Sequence, residues 1–355
     1  MNRTRVDPIA DAVLYEGYIL YPYRPSLKNR QRWTFGGLYP EAHCQARGGS
    51  DAAGNQTECL IRGTSATLVE AVVRFLHLTA RQVGEIDPPL ADWPEGAAPT
   101  FRPVEALRVG AHHFSTWQEA EEREVVLAEA TLGELSARPL RSPFAFPGAR
   151  RSEPVHGEAG EVVGILVRVQ QAVAGDVEVS AVEVGEGTYR LTLRVTNRTP
   201  LGESGGGSRD EALLRALVST HEILGVRDGE FLSQMDPPEG CRALAQACRN
   251  VGTWPVLVGE EGQTDLMLSS PIILYDYPQL APESPGSFFD GTEIDEMLTL
   301  RVMTMTDEEK DAMAAVDAKT CALLARVDGM SPDDMRALHG TVRALRPVPE
   351  GGSCG

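Results

Sequence analysis

The sequence lacks most of the short motifs that reveal chemistry directly. No Cys-x-x-Cys pair occurs, so the familiar zinc-ribbon, ferredoxin and thioredoxin spacings are excluded. There is no Gly-x-Ser-x-Gly elbow and no Gly-x-x-x-x-Gly-Lys-Ser/Thr loop; the run Gly205-Gly206-Gly207 is followed by Ser208-Arg209, which cannot complete a phosphate loop. Uninterrupted apolar runs are short, as at Tyr18–Tyr21 and Cys321–Ala325, far below what a bilayer requires. The polar start Asn2-Arg3-Thr4-Arg5 leads into no apolar segment of the secretory kind. These absences predict a cytoplasmic chain with no membrane insertion and no cofactor.

Basic charge is also scarce. The 355 residues carry 33 Lys and Arg against 51 Asp and Glu, a formal charge of −18. Such a surface repels phosphate backbones, which argues against a nucleic-acid partner. Apolar residues make up 42% of the chain, enough for a sizeable core. The six cysteines are scattered at 44, 59, 241, 248, 321 and 354, and a chain this long needs no covalent staples, so reduced thiols are expected.

The clearest periodicity lies in the middle. Val163, Ile165, Val167 and Val169 alternate with other residues, Val177 and Val179 continue the pattern, and Tyr189, Leu191, Leu193 and Val195 alternate with Arg190, Thr192, Arg194 and Thr196. Period two with one polar face predicts antiparallel strands over about 161–197, with turns at Gly175-Asp176 and Gly185–Gly187. Three strands are marginal alone, so helices are expected to cover them. Leu68, Val69, Val72, Val73, Phe75 and Leu76 fall mostly at helical spacing behind Thr67-x-x-Glu70, predicting a helix over 67–82; Thr116-x-x-Glu119 predicts another over 117–132. Ser208-x-x-Glu211 predicts a third, running to about Leu224. Further helices are expected from Thr306 and from Ser331-Pro332. Short strands are expected near Phe231, Val256–Val258 and Ile272–Tyr275. Four prolines and three glycines over 138–160 read as a linker. The whole is an α+β reading, with mixed α/β elements at both ends. The domains would be 1–147, an antiparallel β segment at 148–200, 206–345, and a tail at 346–355.

Candidate sites are few. His43, Cys44 and Cys59 flank a Gly-rich loop and could bind a soft metal with His77 or a distant Cys; Cys241 and Cys248 would share one face if their segment is helical. Free cysteines are more usually small buried hydrophobes. Asp276, Glu283, Asp290 and Glu293 lie on proline-constrained backbone and could bind a hard cation, although an EF-hand ladder is absent. His221 could act as a base or cap a helix; His112, His113 and His339 carry no stronger signal. Charge asymmetry is the more suggestive feature. Arg24, Lys28, Arg30 and Arg32 interleave with Tyr21, Tyr23, Trp33 and Phe35 without an acid between Gly17 and Pro40, whereas ten acids crowd 276–311. Arg and large aromatics are the residues of interface hot spots. Either these two regions pair within the fold, or the basic-aromatic one meets an acidic partner. The candidate contact residues are Tyr21, Tyr23, Arg24, Lys28, Arg30, Arg32, Trp33, Tyr275 and Tyr277.

Several strings carry a likeness: Ala10–Arg24 with Lys28-Asn-Arg30 and Trp33-x-Phe-Gly36; Ser219-Thr-His-Glu222; Gly229–Ser233 with Asp236-Pro-Pro238; Asn250–Gly259; Ser270–Pro278; Ala281–Gly286; and Phe289–Glu296. Together they resemble an accessory protein family encoded beside actinobacterial-type, high-affinity nickel–iron hydrogenases. The resemblance covers both ends of the chain; 138–210 is less distinctive. It implies a non-catalytic accessory or assembly factor that contacts a hydrogenase subunit or a maturation protein. It supplies no catalytic residues. A metal-dependent enzyme using the acidic loop, and a structural subunit of the hydrogenase complex, are the alternatives.

Overall fold

A computed structural model describes residues 1–15, 36–47, 49, 51–94, 98–110, 112–201 and 208–279, with isolated positions 310, 324, 325 and 329. Helices α1 (Asp7–Tyr15) and α2 (Glu41–Arg47) precede strands β1 (Gly54–Arg62) and β2 (Leu68–Leu90). Short strands β3 (Arg102–Val104), β4 (Ala106–Val109) and β5 (His112–Ser115) lead to β6 (Trp117–Val126), β7 (Ala130–Thr131) and helix α3 (Leu132–Ala137). Then come β8 (Leu140–Phe146), β9 (Ala149–His156), β10 (Val162–Gln170), β11 (Val173–Gly185) and β12 (Thr188–Asn197). Helix α4 (Arg209–Leu213), β13 (Val218–Arg227), β14 (Glu230–Leu232), α5 (Arg242–Gln246), β15 (Trp254–Leu257) and β16 (Leu266–Ser270) complete the described order.

The strands form two large antiparallel sheets. The first runs β14-β1-β12-β11-β8. The second runs β15-β16-β13-β2-β10-β9, with β3, β6 and β7 also on β2. β2 organises the second sheet because both its edges are paired. Val72 faces Ile223 of β13 on one side and Val126 of β6 on the other; Ala80 faces Val169 of β10 and Gln118 of β6. β13 and β10 therefore lie end to end along one edge, and β6 runs along the opposite one. The hairpins β8–β9 and β10–β11 each send one strand to either sheet.

The two sheets pack face to face. Cys59, Ile61, Val177, Val179, Leu191, Leu193 and Phe231 of the first meet Val69, Val73, Phe75, Leu224, Val226 and Met267 of the second. Phe75 lies 5.9 Å from Phe144 and 5.8 Å from Phe146, ring centre to ring centre, in tilted and edge-on geometry. Helix α1 covers the outer face of the second sheet, setting Ala10 and Val13, with Val6 just before it, on Val72, Ile223, Val256 and Leu268. Helix α5 covers the outer face of the first around Leu60.

This architecture corrects the α+β expectation. The apolar face of the middle strands is covered by a second sheet, not by helices, and the described helices are few and short. Residues 68–82 belong to the 23-residue strand β2. Its middle is buried on both faces, so apolar residues occupy helical as well as alternating positions, and β-branching decides for the strand. Thr67 caps no helix there: its hydroxyl donates to Asp228 O at 2.7 Å and accepts from Thr64 N. The 117–132 segment is mostly β6, followed by β7, and the acids of β6 answer cations on neighbouring strands: Glu122 pairs with Arg74, and Glu119 with Arg81 and Arg168. Cross-strand partners there override the helix preference of Glu and Ala.

Other segments divide. The α4 capping box forms as expected, with Ser208 and Glu211 bonded reciprocally, but the helix ends at Leu213 and β13 takes 218–227. Residues 138–160 hold β8 and β9 rather than a linker. β10, β11 and β12 fall where alternation placed them, the last two joined through Gly187, whose φ of +64° suits glycine. Gly175-Asp176 lies within β11, and residues 271–277 form no strand. The expected helices from 306 and 331 lie outside the described residues. Among the described residues, no helix is long and apolar enough to cross a membrane.

Candidate functional site

Two places concentrate unusual chemistry. The first is Ser219–Glu222, where the pairing of β13 with β2 slips between Val218 and His221. Ser219 adopts φ +53°, a left-handed conformation rarely held by a residue with a side chain. Its hydroxyl donates to Val13 O of α1 at 3.2 Å, and Thr220 N donates to Gly36 O at 3.2 Å. Gly36 itself has φ +53°, and a Cβ there would sit 2.5 Å from the Pro271 ring.

Glu222 points between the sheets and is fully buried. Asn55 Nδ2 donates to its Oε1 at 2.6 Å; Thr57 Oγ1 and Thr253 Oγ1 reach Oε2 at 3.2 and 3.4 Å. Ser269 Oγ lies 2.7 Å from Thr57 Oγ1 and 2.6 Å from Thr253 Oγ1. Burial pushes the carboxyl up to about 7, against the pull of these four neutral partners. The group therefore sits near the balance of its two forms at neutral pH. Its chemistry is that of a sealed proton-holding network, because no substrate reaches a fully buried carboxyl.

His221 points the other way, under α1, and is equally buried. Its Nδ1 lies 3.0 Å from Ser219 O, which makes Nδ1–H the donor. Burial pushes the imidazole down to about 4, and Arg74 across the strand pair pushes in the same direction. Arg74 is held by Asp11 at 2.7 Å, Glu122 at 3.2 Å and Glu124 at 3.3 Å.

The second place is a cleft of about 430 Å³ lined by Met235, Glu261, Tyr275, Asp276, Tyr277 and Gln279. Tyr275 is 78% exposed, Ile273 69% and Met235 49%. Asp276 is fixed: Oδ1 accepts from Leu257 N at 2.8 Å and Oδ2 from Ser233 Oγ at 2.5 Å. Tyr277 has φ +57°, donates its N–H to Leu257 O at 2.7 Å and packs its ring against the core between the sheets. Tyr275 thus projects outward just before two anchored residues, Asp276 and Tyr277.

Three sequence-predicted residues, Tyr275, Asp276 and Tyr277, are therefore brought together in one cleft. Tyr21, Tyr23, Arg24, Lys28, Arg30, Arg32, Trp33, Glu283, Asp290, Glu293 and His339 lie outside the described residues. The proposed soft-metal residues have separate settings. His43 is buried, stacks on Tyr39 at 5.5 Å and reaches Asp51 at 3.4 Å. Cys44 is half-buried beside Tyr39 O, and Cys59 is fully buried between the sheets. His77 Nε2 lies 2.7 Å from Gln171 O. Cys241 and Cys248 pack under Leu60 with α5. Among the described residues, no group of three or more His, Cys, Asp and Glu side chains could hold a metal ion.

The Glu222 network went unread in the sequence, although its signal is present. Thr57 stands two residues before Cys59, Glu222 two before Leu224, and Ser269 two after Met267, each a polar residue at an inward position of an apolar strand. No protein-family model, curated protein or solved structure matches the chain.

Proposed function

We propose that this protein is a non-catalytic binding partner, an accessory or assembly factor for nickel–iron hydrogenase maturation, acting through the face around Tyr275. One observation carries the binding reading. Tyr275, Ile273 and Met235 stand exposed beside a cleft, on backbone held by Asp276 and Tyr277. Large apolar side chains held rigidly in solvent form a low-entropy anchor for another protein. The hydrogenase context rests on the sequence resemblance, two of whose strings, Asn250–Gly259 and Ser270–Pro278, contribute Leu257, Tyr275 and Asp276 to this region.

The test is co-purification of the tagged full-length protein from cells producing a nickel–iron hydrogenase. The expected result is retention of a hydrogenase subunit or maturation protein by the unaltered chain, and its loss in Tyr275→Ala and Ile273→Ser. Retention of no such protein would sink the assignment of partner. Retention unaffected by both substitutions would sink the assignment of surface. Persistence in the mature, active enzyme would instead mark a structural subunit.

A further inference from the structure

The cleft beside Tyr275 has aromatic and thioether walls and a fixed carboxylate. Asp276 cannot swing away, since each of its oxygens already accepts one hydrogen bond, from Leu257 N and Ser233 Oγ. Each oxygen keeps a second lone pair. Glu261 adds another carboxylate, and none of the six lining residues carries positive charge. An anion is repelled here, and a neutral apolar group would desolvate carboxylates without answering them. A cation satisfies both the carboxylates and the negative face of the exposed Tyr275 ring.

Shape then separates the two cationic side chains. A guanidinium is planar, stacks on an aromatic ring and presents a fork of donors to a carboxylate, whereas an ammonium is a compact, strongly hydrated charge. A cleft of about 430 Å³ with the Tyr275 ring beside it and Gln279 as a further polar group suits the planar cation. Resting on the partner-binding reading above, we propose that this cleft receives an arginine side chain from a basic segment of the partner. The chain's own formal charge of −18 favours the approach of such a segment.

The experiment titrates the full-length protein with N-acetyl-arginine methylamide and, separately, with its neutral isostere N-acetyl-citrulline methylamide, following the Asp276 backbone amide resonance by NMR. The expected result is a saturable shift with the arginine compound and none with citrulline. Glu261→Gln and Tyr275→Ala alter only exposed side chains, and each is expected to weaken the arginine response roughly two- to fivefold. Equal response to both compounds, or an arginine affinity unchanged in both variants, overturns the proposal. The two readings fail separately. Arginine binding without hydrogenase co-purification removes the partner assignment alone. Co-purification that needs Tyr275 while the arginine compound produces no shift removes the arginine assignment alone.

Discussion

His221 and Glu222 are consecutive, fully buried residues of β13 whose side chains occupy opposite faces of one sheet and whose proton affinities move in opposite directions. Burial accounts for both shifts, because it disfavours the charged form of each. The native state thus keeps carboxyl and imidazole neutral together over mildly acidic pH.

The two groups make opposing contributions to stability. Glu222 titrates near 7 when folded and near 4.5 when unfolded, so the native state holds the extra proton between those values and stability falls as pH rises through them. His221 titrates near 4 when folded and 6.5 when unfolded; there the unfolded chain holds the extra proton, and stability rises with pH. Glu222→Gln keeps the shape and removes one titration. Its stability is expected to climb from pH 4 to 6.5 and then level off. Above pH 7 it should exceed the unaltered protein by up to roughly 3 kcal/mol. Urea unfolding at pH 5, 6.5 and 8 checks this, and identical profiles for the two proteins would refute it.

Arg74 fastens α1 to the second sheet. It is 5% exposed and gathers Asp11 from the helix with Glu122 and Glu124 from β6. Arg74→Ala takes the shared cation from Asp11 and Glu122, while Glu124 keeps its pairing with Arg3. The expected cost is about 2 kcal/mol, tempered by the partial exposure of those carboxylates. Amide exchange over Asp7–Leu14 should accelerate more than exchange over β11 and β12. Uniform acceleration throughout would contradict this fastening role.

Gly36→Ala tests the contact beneath the β13 bulge. The substitution meets both a φ of +53° and the Pro271 ring, while Gly49 has open space around it. A loss of about 1–3 kcal/mol is expected for Gly36→Ala and little change for Gly49→Ala. Thermal unfolding of the two variants side by side decides it.

Cys59 offers a chemical probe of the interior. Its thiol is fully buried and pushed well above the ordinary thiol range by desolvation; the neighbouring Cys248 is pushed up to about 11. In native protein at pH 8, iodoacetamide is expected to leave Cys59 unmodified, and urea should release it. Mass spectrometry of tryptic peptides reports both states. Prompt native labelling of Cys59 would mean that the two sheets are not packed as described.

The strands easiest to read in the sequence were those with one wet face. β12 alternates Tyr189, Leu191, Leu193 and Val195 with Arg190, Thr192 and Arg194, and its periodicity needs no partner to be recognised. β2 hid because its middle has no wet face, and β6 because its acids make sense only beside Arg74, Arg81 and Arg168 on other strands. Long-range pairing carries that information, and local spacing does not. The same applies to the candidate sites. Tyr275 and Tyr277 stood out by residue type, but the fixing of Asp276 depends on Ser233 and Leu257. Glu222 depends on Asn55, distant in the chain and adjacent in the fold.

The double pairing of β2 also dictates the order of events during synthesis. This strand leaves the ribosome before its partners, and one of its edges waits for β10 and β13, the latter following β12 in the chain. Until then Val69–Leu78 presents a long apolar ribbon with open hydrogen-bonding groups, the kind of edge that templates aggregation. Closing such distant pairs is slow. A nascent chain halted before Val218 therefore leaves the Leu68–Leu76 edge of β2 open, and docking of β13 is what covers it.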